Sequence, residues 1–339
     1  MNANELAATV AALVAPGKGI LAADESHATI GKRFDAIGLT NSETARRDYR
    51  EMLFSSPGGS EYISGVILYD ETLRQKAADG VSFVAKMQKS GVIPGIKVDL
   101  GAKDLAACAG EQITEGLDGL RDRLKEYYAL GARFAKWRAV INVNATLPSD
   151  TCLIANAEAL ARYAALCQEQ NIVPIVEPEV IMDGSHSIER CAEVTDRALT
   201  YLFARLHQAR VRLEGMLLKP NMVISGKSCA QQADVQTVAD LTIRLFLRTV
   251  PAAVGGIVFL SGGQSDELAT AHLNAMHVQF KSLPWPLSFS YGRALQAAAI
   301  KAWGGKPGQV EAGRNALVKR LQLNSAARYG KYIAAMERT

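Results

Sequence analysis

The chain has 339 residues, of which 48% are hydrophobic and 21% are charged, and its formal net charge is +4. This composition supports a large buried core, and so small a positive excess indicates neither nucleic acid nor a membrane as a partner. It is compatible with an anionic substrate if the cations gather in one cleft.

The chain ends and the cysteines predict an ordinary intracellular protein. Residues 1–14 lack the basic region of a signal peptide and predict an amphipathic helix that begins near Asn4. The sequence contains no run of about 18 apolar residues, which a membrane span would require. We therefore expect a soluble, cytoplasmic protein. The five cysteines form no C-x-x-C pair, and we expect them to be reduced, small and buried: Cys108, Cys152, Cys167, Cys191 and Cys229.

Short apolar, β-branched runs alternate with helical segments along the chain. The predicted strands span residues 19–24, 62–69, 93–99, 134–140, 173–179, 215–221, 256–262 and 287–293. Apolar residues between them repeat at helical spacing, as in 156–170 and in 266–280 after the candidate N-cap Ser265. This alternation predicts an α/β fold with parallel crossovers.

Eight such units predict one domain, residues 1–339, folded as a (β/α)8 TIM barrel with an additional N-terminal helix and a C-terminal helical segment. A doubly wound open sheet is the alternative. It would favour a Gly-rich turn after the first strand, and GILAADES contains none.

Charged residues interrupt strands that a barrel would bury on both faces, and they fall late in each strand. The steps from Lys97 to Lys136, Glu177, Lys219 and Ser261 are 39, 41, 42 and 42 positions, about one βα unit each. A single such charge is more often solvated surface or a structural ion pair. Their return on seven strands favours one active site at the carboxyl ends of the barrel: Asp24, Lys97, Asp99, Lys136, Arg138, Glu177, Glu179, Lys219, Ser261 and Arg293.

The histidines do not support a metal mechanism, and we expect neither a metal nor a cofactor. None of the five (His27, His186, His207, His272 and His277) forms a two-histidine ligand pattern at a strand end. His272 and His277 lie in a predicted surface helix, where we expect them to be solvated.

A lysine-based covalent mechanism fits the charges better. A lysine amine becomes nucleophilic when desolvation or nearby cations lower its pKa. Lys219 follows an apolar run and precedes Pro220, which favours extended backbone. Lys136 and Arg138 are expected to approach it across the barrel, with Glu177 and Glu179 close by for proton transfer. This set is typical of carbonyl activation through an imine, as in aldol cleavage and related carbon–carbon chemistry.

A phosphate site is also predicted. LSGGQS at 260–265 ends the seventh strand and SYGR at 290–293 ends the eighth. Loops after these two strands commonly bind phosphate in this fold, because glycines let backbone N–H groups approach the anion. Arg293 would add a bidentate cation.

In order along nearly the whole chain, these segments resemble class I fructose-1,6-bisphosphate aldolases. The matching stretches include GKGILAADES at 17–26, FAKWR at 134–138, VPIVEPE at 173–179, LEGMLLKPNMV at 213–223, GIVFLSGGQS at 256–265 and SFSYGRALQAAAIKAWGG at 288–305. The resemblance implies reversible cleavage of fructose 1,6-bisphosphate to dihydroxyacetone phosphate and glyceraldehyde 3-phosphate, phosphorylated sugars as substrates, and a homotetramer.

The resemblance also implies residue roles. Lys219 would form the imine, Glu177 would be the acid and base for carbinolamine dehydration, and Glu179 would support it. Asp24 would take the C4 hydroxyl proton, while Lys136 and Arg138 would stabilise charge and hold substrate. One phosphate would bind Ser261, Gly262, Gly263, Ser290, Gly292 and Arg293, and the other would lie near Ser26, Thr29, Arg33 and Lys97.

Two departures from the family pattern stand out. Thr29 occupies a position that is usually serine, and His27 stands where a smaller residue is usual. A tail at 326–339 ends seven residues after Tyr332, and Tyr329 and Tyr332 do not match the terminal tyrosine of familiar members. We therefore expect another group, a water or the phosphate to move the proton at the carbanion. The alternatives are broader use of sedoheptulose 1,7-bisphosphate or fructose 1-phosphate, or a non-catalytic scaffold.

Overall fold

The computed structural model describes residues 1–338 and contains a closed, eight-stranded parallel barrel. Its order around the barrel is β1-β10-β9-β8-β7-β6-β3-β2. The barrel strands are β1 (Gly19–Ala23), β2 (Ile63–Leu68), β3 (Ile93–Lys97), β6 (Phe134–Ile141), β7 (Val173–Val180), β8 (Leu217–Leu218), β9 (Ile257–Phe259) and β10 (Leu287–Tyr291), with a small antiparallel hairpin of β4 (Ala102–Asp104) and β5 (Gln112–Thr114). The predicted (β/α)8 barrel is confirmed.

Twelve α-helices are present in the described residues, and most of them pack around the barrel. They are α1 (Ala3–Leu13), α2 (His27–Asp35), α3 (Glu43–Phe54), α4 (Asp70–Arg74), α5 (Phe83–Lys89), α6 (Leu120–Ala129), α7 (Asp150–Glu169), α8 (Ile188–Gln208), α9 (Val235–Thr249), α10 (Asp266–Gln279), α11 (Arg293–Trp303) and α12 (Val310–Arg328). Side-chain oxygens cap the amino ends of many of them, as Ser265 does for α10.

The predicted N-terminal helix is present as α1 and covers the amino-terminal end of the barrel. Leu6, Val10 and Leu13 are buried against strand residues of the barrel interior, including Phe134 and Leu217. Gly65 on β2 makes this contact possible, because a Cβ there would lie 2.8 Å from a Leu13 methyl group. The helix therefore fills the end of the barrel opposite the carboxyl ends of the strands.

The structure corrects several predicted boundaries. The sixth strand was predicted over 215–221, but only Leu217–Leu218 is regular, since Leu213–Gly215 forms a 3-10 turn and Pro220 cannot donate to a ladder. The third strand ends at Lys97, and the hairpin after it was not predicted. Helix α7 starts earlier than residue 156, because Ser149 caps it.

The carboxyl-terminal helical segment is also present. Helix α12 continues to Arg328, so its last three residues belong to the predicted tail, and a short 3-10 turn follows at Ala334–Glu337. Thr339, the last residue of that predicted tail, lies outside the described residues. Within residues 1–338, no helix has the length and apolar character needed to cross a membrane.

Candidate active site

A cavity of about 590 Å³ opens at the carboxyl ends of the barrel strands. It is lined by every residue predicted for the site except Gly263: Asp24, Ser26, Thr29, Arg33, Lys97, Lys136, Arg138, Glu177, Glu179, Lys219, Ser261, Gly262, Ser290, Gly292 and Arg293. The spacing of one βα unit thus brings charges from distant parts of the chain together, as predicted.

Three buried charges and the partly buried Asp24 form the floor of the cavity. Lys219 Nζ lies 3.2 Å from Glu177 Oε1, and Lys136 Nζ lies 3.6 Å from Glu177 Oε2 and 2.7 Å from Asp24 Oδ2. Lys219 follows directly after the short β8, and its backbone N–H donates to Val176 O of β7 at 2.8 Å. The amine is therefore fixed beside a carboxylate that can accept its proton.

Electrostatics hold Asp24 in its ionised form. Burial by itself would raise the pKa of this carboxyl, but the charges of Lys136, Lys219 and Lys97 outweigh burial and keep its pKa well below the usual range. The same carboxylate, together with Glu177, raises the pKa of Lys136 despite the opposing effect of burial. Asp24 is thus a carboxylate and Lys136 an ammonium at neutral pH.

Two further pairs stand above the floor. Arg138 Nε donates to Glu179 Oε2, and Lys97 Nζ contacts Asp99 Oδ1 at 2.6 Å. Asp99 Oδ2 also accepts from the backbone N–H of Arg138 at 3.3 Å, which links β3 to β6. The prediction that Lys136 and Arg138 share the inner face of one strand is confirmed, since both line the cavity.

One side of the cavity is a cradle of small residues between the ends of β9 and β10. Ser261, Gly262, Ser290 and Gly292 line it, and α11 begins at Arg293, so the amino end of a helix faces the space. The absence of a side chain at Gly262 leaves room for Glu179, because a Cβ there would lie 2.7 Å from Glu179 Oε1. Such a cradle suits a phosphate group.

Gly263 lies outside the cavity lining, whereas Arg293 belongs to it and also makes contacts that were not predicted. Gly263 has φ +80° and packs against Met182 rather than the cavity, where a Cβ would lie 2.4 Å from the Met182 Cβ. Glycine is therefore favoured at position 263 by the backbone conformation of the turn. Arg293 Nη2 donates to the carbonyls of Ser261 and Gln264, and Nη1 lies 3.5 Å from Asp266 Oδ1. Arg293 braces the Ser261 loop as well as contributing positive charge.

Another part of the cavity is lined by Lys97, at the end of β3, and by the amino end of α2, which follows β1. Ser26 caps that helix, and its Oγ accepts from the Thr29 N–H at 3.3 Å and lies 3.1 Å from Thr29 Oγ1. Arg33 was expected to belong to this side, but its Nη2 would lie only 3.9 Å from a Cβ at Gly292. The structure therefore places the Arg33 guanidinium beside the Gly292 cradle, one helical turn away from Thr29.

Sequence reasoning missed Glu25, which holds Arg33 in that position. Its carboxylate is buried between Arg33 Nη1, at 2.6 Å, and Arg50 Nη2, at 2.7 Å, and it also accepts from Gln296 Nε2 at 2.8 Å. The only sequence signal was an acid directly after Asp24, which reads as surface. Arg50 and Gln296 come from α3 and α11, so no local pattern could reveal the cluster.

Two expectations about other side chains were wrong. His272 is buried rather than solvated: its Nδ1 lies 2.6 Å from Gln264 Oε1, and burial lowers its pKa to about 4. Cys108 and Cys229 are only partly buried, whereas Cys152, Cys167 and Cys191 are buried as expected. Within residues 1–338, no group of three or more His, Cys, Asp or Glu side chains could hold a metal ion.

Fold and cavity together define a class of protein: a (β/α)8 barrel with a buried, charge-lined pocket at the carboxyl ends of its strands, where barrel enzymes have their active sites. The family model described as fructose-bisphosphate aldolase class-I matches residues 5–339. The chain belongs to this family, whose members are lyases.

Individual relatives agree with this assignment. A protein named probable fructose-bisphosphate aldolase class 1 from Xanthomonas axonopodis pv. citri is 59% identical over 333 residues, covering 98% of this chain and 99% of the relative. Fructose-bisphosphate aldolase 4, cytosolic, from Arabidopsis thaliana is 53% identical, covering 97% and 84%. A crystal structure of the Plasmodium falciparum fructose-bisphosphate aldolase in complex with TRAP and a small-molecule inhibitor superposes with a TM-score of 0.96 at 50% identity, covering 98% of this chain and 96% of that one.

Proposed function

We propose that this protein cleaves fructose 1,6-bisphosphate reversibly into dihydroxyacetone phosphate and glyceraldehyde 3-phosphate through an imine on Lys219. The observation that carries the proposal is the buried Lys219 amine 3.2 Å from Glu177 Oε1, at the mouth of a barrel of this family. A lysine must lose its proton to attack a carbonyl, and Glu177 is placed to take it.

The first half of the reaction uses this pair. Neutral Lys219 attacks the C2 carbonyl to give a carbinolamine, and the protonated Glu177 returns its proton to the departing hydroxyl, which leaves as water. The product is an iminium ion. Glu179, beside the cavity and bonded to Arg138, supports Glu177 electrostatically.

The second half uses Asp24. As an ionised carboxylate it accepts the C4 hydroxyl proton, the C3–C4 bond breaks, and its electron pair moves into the iminium to form an enamine. Glyceraldehyde 3-phosphate leaves. Lys136 keeps Asp24 ionised and stabilises the developing charge. Protonation of the enamine at C3 and hydrolysis then release dihydroxyacetone phosphate and the free lysine.

The two ends of the cavity suit the two phosphates. The phosphate on C1 is next to the C2 imine. The Ser261–Arg293 cradle lies at the ends of β9 and β10, and β9 is next to β8, which Lys219 directly follows. We assign this cradle, with Arg33, to the C1 phosphate. Ser26 and Thr29 follow β1, and Lys97 ends β3, which lies across the barrel from β9. We assign these three residues to the C6 phosphate.

Trapping with borohydride tests the proposal. Fructose 1,6-bisphosphate with borohydride is expected to inactivate the enzyme and leave a reduced adduct on the Lys219 peptide, detected by mass spectrometry. Lys219→Ala should give neither adduct nor cleavage. Lys227→Ala is a matched control, since this lysine is largely exposed and pairs with Asp183. An adduct elsewhere, or activity lost with EDTA, would contradict the mechanism.

Assembly and location rest on the family alone. We propose a homotetramer, to be checked by light scattering, and a cytoplasmic location, which the names of relatives such as the Arabidopsis protein support. A monomer in solution would contradict the first, and a secreted native protein the second.

A further inference from the structure

His27 is one of the residues that depart from the family pattern, and in the sequence it lies between Ser26 and Thr29. It is the first residue of α2, directly after the N-cap Ser26 and two positions before Thr29. Ser26 and Thr29 line the cavity, whereas the His27 side chain is 53% exposed and turns to the neighbouring elements. The mechanism gives it no role.

The imidazole of His27 is tied to the loop after β2. Its Nε2 lies 2.6 Å from Glu71 Oε2, and its ring meets the Tyr69 ring edge-on, with centroids 5.3 Å apart. Burial alone would raise the pKa of Glu71, but hydrogen bonds from Arg46 and His27 lower it. Since an ionised carboxylate only accepts, Nε2 carries the proton.

The contact between His27 and Glu71 is part of a closed circuit of hydrogen bonds that includes Arg46 of α3. Arg46 forks onto Glu71, with Nε 2.8 Å from Oε2 and Nη2 2.9 Å from Oε1, and its Nη1 donates to Asn41 Oδ1 at 2.9 Å. Asn41 Nδ2 then donates to the backbone carbonyl of His27 at 3.0 Å. His27 is therefore held by its side chain and by its backbone.

Gly31 makes room for this circuit. A Cβ at position 31 would lie 2.8 Å from Asn41 Nδ2, so a larger residue would displace the amide that reaches His27. Two members of the circuit are well covered, since Arg46 is 15% and Glu71 18% exposed, whereas Asn41 is exposed. A fork-shaped, half-buried network positions a segment more firmly than one exposed ion pair does.

We propose that His27 is a positioning residue for the C6-phosphate subsite. The His27–Glu71–Arg46–Asn41 circuit fixes the first turn of α2, and so fixes the Ser26 and Thr29 hydroxyls, which line the cavity together with Lys97. The inference rests on the proposed function for the identity of the phosphate. It predicts that the circuit contributes to binding of substrates with a C6 phosphate and not to the imine chemistry.

Steady-state kinetics with two substrates test this. For His27→Ala, we expect KM for fructose 1,6-bisphosphate to rise about three- to tenfold with kcat changed less than about twofold. Fructose 1-phosphate, which lacks the C6 phosphate, should show kcat/KM within about twofold of wild type. His27→Gln should recover part of the loss, because its amide can donate to Glu71. His207→Ala, an exposed histidine on α8, is the matched control.

Gly31→Ala separates positioning from stability. Alanine favours a helix over glycine, so Tm should be unchanged or higher, yet the displaced Asn41 should raise KM for the bisphosphate as His27→Ala does. Equal losses with both substrates, or an unchanged KM for the bisphosphate, would overturn the inference.

A binding measurement keeps this test independent of turnover. Inorganic phosphate, titrated by calorimetry, should bind His27→Ala more weakly than wild type, and the difference should vanish when both carry Lys97→Met. Equal affinity in the two parent proteins would overturn the positioning role. Failure of borohydride trapping on Lys219 would instead contradict the proposed function.

Discussion

At the scale of single residues, Lys136 is a buried ammonium that lies between two carboxylates. Its Nζ is 2.7 Å from Asp24 and 3.6 Å from Glu177, and its side chain is 5% exposed. Removing one partner of a buried pair leaves a charge without compensation, which costs more than the pair contributes. The lysine thus serves stability and Asp24 ionisation at once.

We expect Lys136→Met to lower the stability by about 3 kcal/mol at neutral pH, and by less near pH 4. In the wild type the Asp24 pKa lies below its unfolded value, so its contribution is present above that unfolded value, about 3.8, and is lost as the pH falls further. Without Lys136, burial raises this pKa, and the penalty grows with pH. Thermal unfolding followed between about pH 4 and pH 8 measures it.

The double variant Asp24→Asn with Lys136→Met is the control for this prediction. It removes the unpaired carboxylate and should recover part of the lost stability at neutral pH. A difference from wild type that is independent of pH would show that lost packing, rather than charge, dominates.

At the scale of elements, α1 and the active site occupy opposite ends of the barrel. Leu13 is fully buried at the amino-terminal end, against the interior strand residues. The proposed chemistry uses residues at the carboxyl ends of β1, β6, β7 and β8, which line the cavity. We therefore expect substitutions at the amino-terminal end to change stability, and substitutions at the carboxyl-terminal end to change catalysis.

Leu13→Ala is expected to destabilise the fold by about 2–5 kcal/mol, since the interior beside Gly65 cannot collapse fully into the space. Calorimetry should show a lower Tm, while kcat/KM measured well below that Tm should stay close to wild type. Leu268→Ala, on the exposed face of α10, is the comparison and should change Tm little. A large loss of kcat/KM in Leu13→Ala would mean that the two ends are coupled.

At the scale of the whole molecule, the net charge of +4 conceals how the charges are distributed. On the cavity floor Lys136 and Lys219 face Asp24 and Glu177, whereas Arg33 and Arg293 flank one end and Lys97 lies at the other. A bisphosphate spans both ends, so its attraction should respond to screening at each of them.

We expect KM for fructose 1,6-bisphosphate to rise about two- to fivefold as NaCl increases from about 50 to about 300 mM, with kcat nearly constant. Fructose 1-phosphate should show a shallower dependence, because it engages one end only. Equal slopes for the two substrates would contradict the assignment of separate phosphate subsites.

The sequence by itself determined the barrel and most of the charged side chains that line its cavity. A βα unit has a nearly constant length, so charges about forty residues apart, such as Lys136, Glu177 and Lys219, must return to the same end of a closed barrel. The apolar pattern likewise determined the strands, because strands covered on both faces are nearly continuous apolar runs.

Only the tertiary structure decided how those residues are held. The Glu25 cluster joins Arg50 and Gln296, and the His27 circuit joins Arg46 and Asn41, through contacts between elements that share no local pattern. Contacts between distant elements also decide on which side Arg33 lies, why His272 is buried and how the chain turns at Gly263. Spacing along the chain determines which strand end a side chain occupies, whereas its partners depend on how helices from distant parts of the sequence pack around that end.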